Sequence, residues 1–393
     1  MNSTDKLFLL DAYALIYRSY YAFIKNPRIN SKGFNTSAIL GFVNTLEEVL
    51  KKENPTHIGV AFDPSGPTFR HEAYEQYKAQ REETPEAIRL SVPIIKDIIR
   101  AYRIPILEVS GYEADDVIGT LATEAGRQGI ITYMMTPDKD YGQLVSDNVF
   151  MYRPKHSGGF EVMGIDEIKA KFNIRSTEQV IDMLGLMGDS SDNIPGCPGV
   201  GEKTAQKLVA EFGSIENLLA HTDQLKGALK TKVEANREMI TFSKFLATIK
   251  VDVPIKLDMT TLVREEPDEE KLRKIFEKLE FRTLIDRVLK KSGAPLSSSS
   301  NSVSPDLYAG TLFARPVDSP TPENNGPVQG DLFANFADNG TDNAENSNLT
   351  HLEMLDVDYQ LIDTEEKRSE IIQKLLTTEI LSIDTETTGT EPM

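Results

Sequence analysis

The sequence has one cysteine, Cys197, no tryptophan, and no apolar run approaching the roughly 20 residues that cross a bilayer. A lone cysteine excludes an internal disulfide and a thiolate-built metal site, so a metal here must be held by oxygen or histidine. The opening MNSTDKLFLLDAYALIYRSY holds an apolar stretch too short for a secretory leader and interrupted by Asp11 and Arg18. No membrane association is expected, and the chain is placed in the cytoplasm. Positive charge is also scarce. Lys and Arg number 43 against 61 Asp and Glu, a net charge of −18, the wrong sign for a partner held through phosphates. The deficit is uneven: residues 1–290 carry 38 basic and 43 acidic side chains, whereas residues 291–393 carry 5 and 18. Most of the acid excess lies in the tail.

At 393 residues, 39% hydrophobic and 26% charged, the chain is long enough for two ordinary domains with cores of their own. Residues 1–175 alternate short apolar runs with amphipathic segments, the pattern of an α/β fold with a largely parallel central sheet flanked by helices. The runs are LFLLD (7–11), HIGVAFD (57–63), RIPILEV (103–109), ITYMMTPD (131–138) and NVFMY (148–152). Between the first two, TSAILGFVNTLEEVLKK reads as a helix opened by an Asn35/Thr36 cap and closed before Pro55. Residues 176–290 read as a smaller, mostly helical domain. Over 291–350 the composition turns to Ser, Asn, Pro, Gly and Asp, too polar to bury a core, and a disordered linker is expected. Its two islands, LYAGTLFA and QGDLFANF, read as a chance scatter of aromatics or as partner-docking peptides. A new pattern over 351–393 stops just past a strand-like EILSIDTE, so the chain is expected to end inside a domain.

Three of the apolar runs end in an aspartate: Asp11, Asp63 and Asp138. Ligands of open α/β sheets bind beyond the carboxyl ends of the strands, so acids far apart in sequence can converge there. Glu113, Asp115 and Asp116, in GYEADDVIGTLA, follow a fourth run and open a helix, where the helix dipole alone also favours acids. Asp140 follows Asp138 by two residues. Asp189 and Asp192, in GDSSDN, fall in a turn between helices, a common place for Asp on local hydrogen-bonding grounds. Singly, each is weak evidence. As a convergent set, they conflict with stability: two like charges ~4 Å apart repel by ~4 kcal/mol at an effective dielectric of ~20, against a folding margin of ~5–15 kcal/mol. Hard cations remove the conflict. All-oxygen ligation suits Mg2+ or Mn2+ over zinc, and more than four carboxylates suggest two ions.

In order along the chain, FLLDAYALIYRSYYA, GVAFD, FRHEAYEQYKAQR, GYEADD, TPDKDYGQLV and GDSSDNIPGCPGVGEKTA resemble the 5′-nuclease domain of bacterial DNA polymerase I, a member of the flap endonuclease family. The resemblance spans about 290 residues and implies a PIN/flap-nuclease-like fold. By it, Asp11, Asp63, Glu113, Asp115, Asp116, Asp138, Asp140, Asp189 and Asp192 are metal ligands or stand directly behind them, around two Mg2+ or Mn2+ ions. Departures are minor: Gln80 within YKAQR and Cys197 in the hairpin.

The segment IPGCPGVGEKTAQKLVAEFG reads as a helix, a Gly/Pro hairpin and a second helix. Gly199 and Gly201 let backbone N–H groups approach a phosphate at a helix start, although a GxG before a helix is often only a tight turn. With Lys203 and Thr204 following, the resemblance makes it a helix-hairpin-helix that grips duplex backbone and commonly holds a monovalent cation such as K+. Residues 65–100 are rich in charge and read either as an exposed helix or, by the resemblance, as a helical arch over the site. In the arch reading, Lys78 and Arg81 contact the scissile phosphate, Tyr77 stacks on a displaced nucleotide, and Arg70 contacts DNA. Tyr17 and Arg18 would reach the same nucleotide, although Tyr17 is equally at home in a core. In the tail, EILSIDTETTG resembles the first motif of a 3′-5′ exonuclease, whose Asp384 and Glu386 would be ligands without partners and therefore inert.

The implied activity is Mg2+-dependent hydrolysis of a phosphodiester near a single-strand/duplex junction, leaving 5′-phosphate and 3′-OH. The implied partners are 5′ flaps, nicked or branched duplex DNA and RNA primers, met by a monomer in primer removal and repair. Two other classes compete: a junction-binding module that has lost its metals, opposed by the complete acid set, and a ribonuclease, disfavoured by the arch and the hairpin helix.

Overall fold

A computed structural model of the chain describes residues 5–155 and 158–289, together with Lys367. The expected linker lies outside these residues, as does the tail motif. Six strands form one sheet: β1 (Lys6–Asp11), β2 (His57–Ala61), β3 (Ile106–Leu107), β4 (Ile131–Met135), β5 (Val149–Pro154) and β6 (Phe160–Met163), in the order β3-β2-β1-β4-β5-β6. All neighbours are parallel except β5 and β6. β1 sits centrally because it is apolar on both faces: Leu7 and Leu9 enter one core, Phe8 and Leu10 the other.

One face carries α1 (Ala12–Ala22), α2 (Ser37–Lys52) and α4 (Glu86–Ala101); the other carries α5 (Ala114–Arg127) and α6 (Ile165–Phe172). Between α2 and α4 lies the short α3 (Phe69–Ala73). The expected start of α2 holds with a local refinement. Thr36 is the cap residue, but the side chain that receives a helix N–H is Asn35, from Ser37 at 3.0 Å.

The helical module contains α7 (Gln179–Met187), α8 (Glu202–Phe212), α9 (Ile215–Ala220), α10 (Gly227–Ala235) and α11 (Arg237–Ala247). Its apolar residues, among them Met183, Leu208, Ile215 and Leu246, join the core beneath α5. The last two helices, α12 (Glu269–Leu279) and α13 (Arg282–Leu289), do not belong with it. Leu272, Phe276, Leu279 and Leu284 pack into the opposite core with α2 and α4.

Three further expectations change. The run at 103–109 yields only Ile106–Leu107 as strand, since Pro105 lacks an N–H and the strand lies at the sheet edge. β6 returns antiparallel and was not anticipated. Within the segment 65–100 read as an arch, helix is interrupted: α3 ends at Ala73, Tyr74 has an extended backbone, and residues 74–85 contain no α-helix. α4 is a core helix that buries Ile88, Ile95, Ile98 and Ile99.

Candidate functional site

The strand order reverses direction at β1 and β4, the point beyond whose carboxyl ends open α/β sheets bind their ligands. Asp11 ends β1 and caps α1, its Oδ1 accepting from Ala14 N–H at 3.2 Å. Its Oδ2 accepts from Thr136 Oγ1 and from the Tyr141 hydroxyl, each at 3.2 Å. Asp63, two residues past β2, accepts from Ala114 N–H at 2.7 Å, which ties it to the start of α5. Asp138 follows β4 and caps the 3-10 turn Lys139–Leu144, accepting from Asp140 N–H at 3.0 Å. Burial, then the charge of Asp63, raises the Asp11 carboxyl from 3.8 to about 7. Burial likewise raises Asp63 and Asp138, and raises Asp115 and Asp140 well above the ordinary carboxylate range, with Asp116 and Asp138 adding repulsion to those two.

The remaining acids are met by bases. Glu113 caps α5 and accepts from Lys78 Nζ at 2.9 Å, the Tyr77 hydroxyl at 3.0 Å and Arg70 Nη1 at 3.1 Å. Burial opposes its charge, but Lys78 and Arg70 hold the carboxyl below its usual value. Asp192 accepts from Arg81 Nη2 at 2.5 Å and lies 3.7 Å from Lys78 Nζ. Against burial, Lys78 and Arg81 pull it down to about 2. Asp189 pairs with Lys139 at 2.7 Å. Lys78 takes this position with a left-handed backbone, φ 55°, a conformation that costs an L residue ~1–2 kcal/mol.

Could this set hold a metal? The donor chemistry fits: several buried oxygens carry raised affinity for a positive charge, and Asp140 Oδ1 is buried with no hydrogen-bond partner. Among the described residues, however, no three acids or histidines already stand close enough together to enclose an ion. The side chains of Glu113 and Asp192 are turned to Lys78 and Arg81 instead. Asp11, Asp63, Asp115, Asp138 and Asp140 are the residues that would supply ligand oxygens.

Asp116 has a different position. It is fully buried, takes both Arg70 terminal nitrogens at 2.8 Å, and accepts from Glu113 N–H and Lys250 N–H. Its oxygens are already used, so it orients the start of α5. Arg70 is corrected from a DNA contact to a buried strut, 1% exposed, which also donates to Leu246 O and Thr248 O, both at 2.9 Å. Arg70→Ala is therefore expected to destabilise the chain by ~3–5 kcal/mol, since it strands Asp116 without its counter-charge. Thermal melts measure this, and an unchanged melting temperature with weakened DNA binding would restore the contact reading. Tyr77 is also corrected. It is 3% exposed with its hydroxyl shared by Glu113 and Asp192, so in this conformation it presents no face for stacking.

Tyr17 is half-buried on α1 and bonds the Thr84 hydroxyl at 3.0 Å; Arg18 donates to Lys155 O at 2.8 Å. Burial, with Arg153 near, lowers Arg18 to about 10. Where α7 meets the hairpin, Gly188 (φ 72°) and Gly196 (φ 62°) pack closely: a Cβ on Gly196 would strike the Gly188 backbone, and one on Gly188 the Ile194 carbonyl. Gly199 has φ 76°, Gly201 caps α8, and Lys203 and Thr204 occupy its first turn, with Lys203 exposed. Asp384 and Glu386 lie outside the described residues. Sequence reasoning passed over Thr136, Lys139 and Tyr141, all in TPDKDYGQLV; a lysine set between two acids was the available signal.

A profile described as 5′-3′ exonuclease, N-terminal resolvase-like domain, matches residues 6–173, and one described as 5′-3′ exonuclease, C-terminal SAM fold, matches 175–270. The chain belongs to the 5′-3′ exonuclease family. Over 286 residues it is 41% identical to DNA polymerase I of Bacillus caldotenax, covering 72% of this chain and 32% of that protein. Over 313 residues it is 37% identical to the thermostable DNA polymerase I of Thermus thermophilus, covering 79% and 36%. The chain thus spans about a third of the length of the curated relatives it matches. In fold it is similar to a bacteriophage T5 5′-exonuclease solved with divalent metal ions (zinc): TM-score 0.54, 20% identity, 70% of this chain and 98% of that one. The T5 flap endonuclease in a pseudo-enzyme–product complex with DNA and metal ions gives TM-score 0.53 at 20% identity, over 70% and 99%.

A raised carboxyl binds its proton more tightly folded than unfolded. The stability contributed by Asp11 is thus full below pH ~4 and is lost as pH rises to about 7. Asp63, Asp115, Asp138 and Asp140 shift in the same direction. Without divalent cations the melting temperature should fall between pH 5 and 8, and Mg2+ or Mn2+ should raise it more at pH 8 than at pH 5. A cation effect independent of pH would contradict the assignment of these acids as ligands.

Proposed function

We propose that the chain hydrolyses phosphodiester bonds of DNA from 5′ ends and at 5′ flaps, using two Mg2+ or Mn2+ ions. One observation carries this reading: buried and half-buried acids with raised proton affinity stand beyond the carboxyl edge of the sheet in a 5′-3′ exonuclease chain, and the buried Asp140 Oδ1 has no hydrogen-bond partner. When bound, the ions acidify the attacking water and neutralise charge that develops on the phosphate. Asp11, Asp63, Asp115, Asp138 and Asp140 offer ligand oxygens, while Glu113, Asp116, Asp189 and Asp192 hold the bases and backbone around them. Lys78 and Arg81 leave their acid partners to meet the reacting phosphate, and so add positive charge where the negative charge grows.

The hairpin and the first turn of α8 hold duplex backbone through N–H groups and Lys203, and K+ is proposed at the hairpin. Binding of this kind reads no base edges, so cleavage follows structure and not sequence. Residues 1–175, with α12 and α13 packed on them, act as the catalytic domain, and the helical module within 176–290 acts as the DNA-binding domain. The substrates are flaps, nicked or branched duplexes and RNA primers, cut by a cytoplasmic monomer in Okazaki-fragment maturation and repair. Matched flap, nicked, blunt and single-stranded substrates test the reading; cutting of the single strand as fast as the flap would contradict it.

Lys203→Ala should weaken flap binding evenly across sequences and flatten the slope of log affinity against log salt by up to ~1 unit. A salt titration checks this, and an unchanged slope would leave the hairpin helix as scaffold only.

A further inference from the structure

Residues 76–81 lie as a strap across the turn 189–194 that leads into the hairpin. Lys78 N–H donates to Asp192 O at 3.0 Å. Arg81 donates from Nε to Ser191 O at 3.2 Å and from Nη2 to Asp192 at 2.5 Å, and the Gln80 amide donates to Ser190 O. In the opposite sense, Asn193 Nδ2 donates to Gln76 O at 2.6 Å. Of these bonds it alone runs from a side chain of the turn to the backbone of the strap, and it lands two residues before Lys78. Both residues are left-handed, Lys78 with φ 55° and Asn193 with φ 57°. Asparagine adopts this region readily; lysine does so only where its surroundings hold it.

We infer that Asn193 is a positioning residue for the reaction: by clamping Gln76 O it holds the strap so that Lys78 keeps the strained backbone that aims its ammonium into the acid centre, 2.9 Å from Glu113. The inference rests on the nuclease reading for its consequence, though the clamp itself is a property of the fold. Nothing in the spacing of GDSSDN distinguishes Asn193 from an ordinary turn residue. Its role comes from what crosses the turn.

The test uses the 393-residue chain with Asn193→Gly, Lys78→Ala and the double variant. Glycine accepts the left-handed backbone without strain, so only the side-chain bond is lost. Asn193→Gly should slow single-turnover cleavage of a 5′-flap duplex in Mg2+ about tenfold and leave flap affinity in Ca2+ within about twofold. The double variant should be no slower than Lys78→Ala, because both act through one ammonium. Asn193→Asp, which keeps the shape but turns an acceptor toward Gln76 O, should be at least as slow as Asn193→Gly. Hydrogen exchange at the Lys78 amide reads the clamp without catalysis and should accelerate in Asn193→Gly. Additive losses in the double variant, equal losses of rate and affinity, or unchanged exchange at Lys78 would overturn the proposal. A wild-type chain that fails to cut the flap while the exchange result holds would instead overturn the nuclease reading and leave the clamp standing.

Discussion

Asp115→Ala is expected to reduce flap cleavage in Mg2+ by at least ~100-fold, as loss of a group that stabilises developing charge does. Asp115 stands in the first turn of α5, and burial with Asp116 beside it raises its carboxyl well above the ordinary range. Its Oδ1 accepts from the neighbouring Asp116 N–H at 2.7 Å and lies 3.9 Å from Arg70 Nη1. The side chain is therefore costly where it is unless a cation uses it. Folding should survive the change, since removing a half-buried carboxylate with raised proton affinity relieves repulsion. Flap affinity in Ca2+ should persist, and melting temperature should hold or rise. Near-normal Mg2+-dependent cutting by this variant would remove Asp115 from the metal set. Asp116→Ala should also abolish cutting, but through instability, because Asp116 answers Arg70.

The second large effect belongs to the bases. Lys78→Ala and Arg81→Ala should each lower the single-turnover rate by ~100-fold or more, with flap affinity changed only a few-fold, since the proposed function places both at the reacting phosphate. Before substrate arrives they pair with Glu113 and Asp192. Each variant removes one of the bases around an acid, so the carboxyls of Glu113 and Asp192 should titrate higher than in the parent chain. Rapid-mix cleavage beside equilibrium binding separates the cases. Equal losses in rate and affinity would mark the two residues as ordinary backbone contacts.

Much of the sheet was legible because its strands are short apolar runs between amphipathic segments, and four of the five expected runs appear as strands of four or more residues. Asp11, Asp63 and Asp138 were placed by the same logic, since acids after apolar strands can only gather at one edge. What the sequence does not carry is which charges answer one another. Arg70 and Tyr77 look like surface groups in a charged stretch, yet tertiary packing buries both against α5. The break in helix between α3 and α4 has a related reason: residues 76–81 find hydrogen-bond partners in the turn at 189–194, more than 100 positions away, and no helical periodicity reports such a pairing. α12 and α13 were assigned to the helical domain by proximity in sequence, whereas their apolar faces are complementary to α2 and α4.

The central claim is that this acid centre cuts DNA at 5′ junctions with the help of divalent cations. A duplex carrying a 5′-labelled single-stranded flap, incubated with the 393-residue chain in Mg2+ and in parallel with EDTA, tests it most directly. The account predicts release of the labelled flap by cleavage at or near the junction in Mg2+, with the duplex left intact in EDTA. Binding without cleavage in Mg2+ and Mn2+ alike, or cleavage that EDTA does not stop, would contradict it.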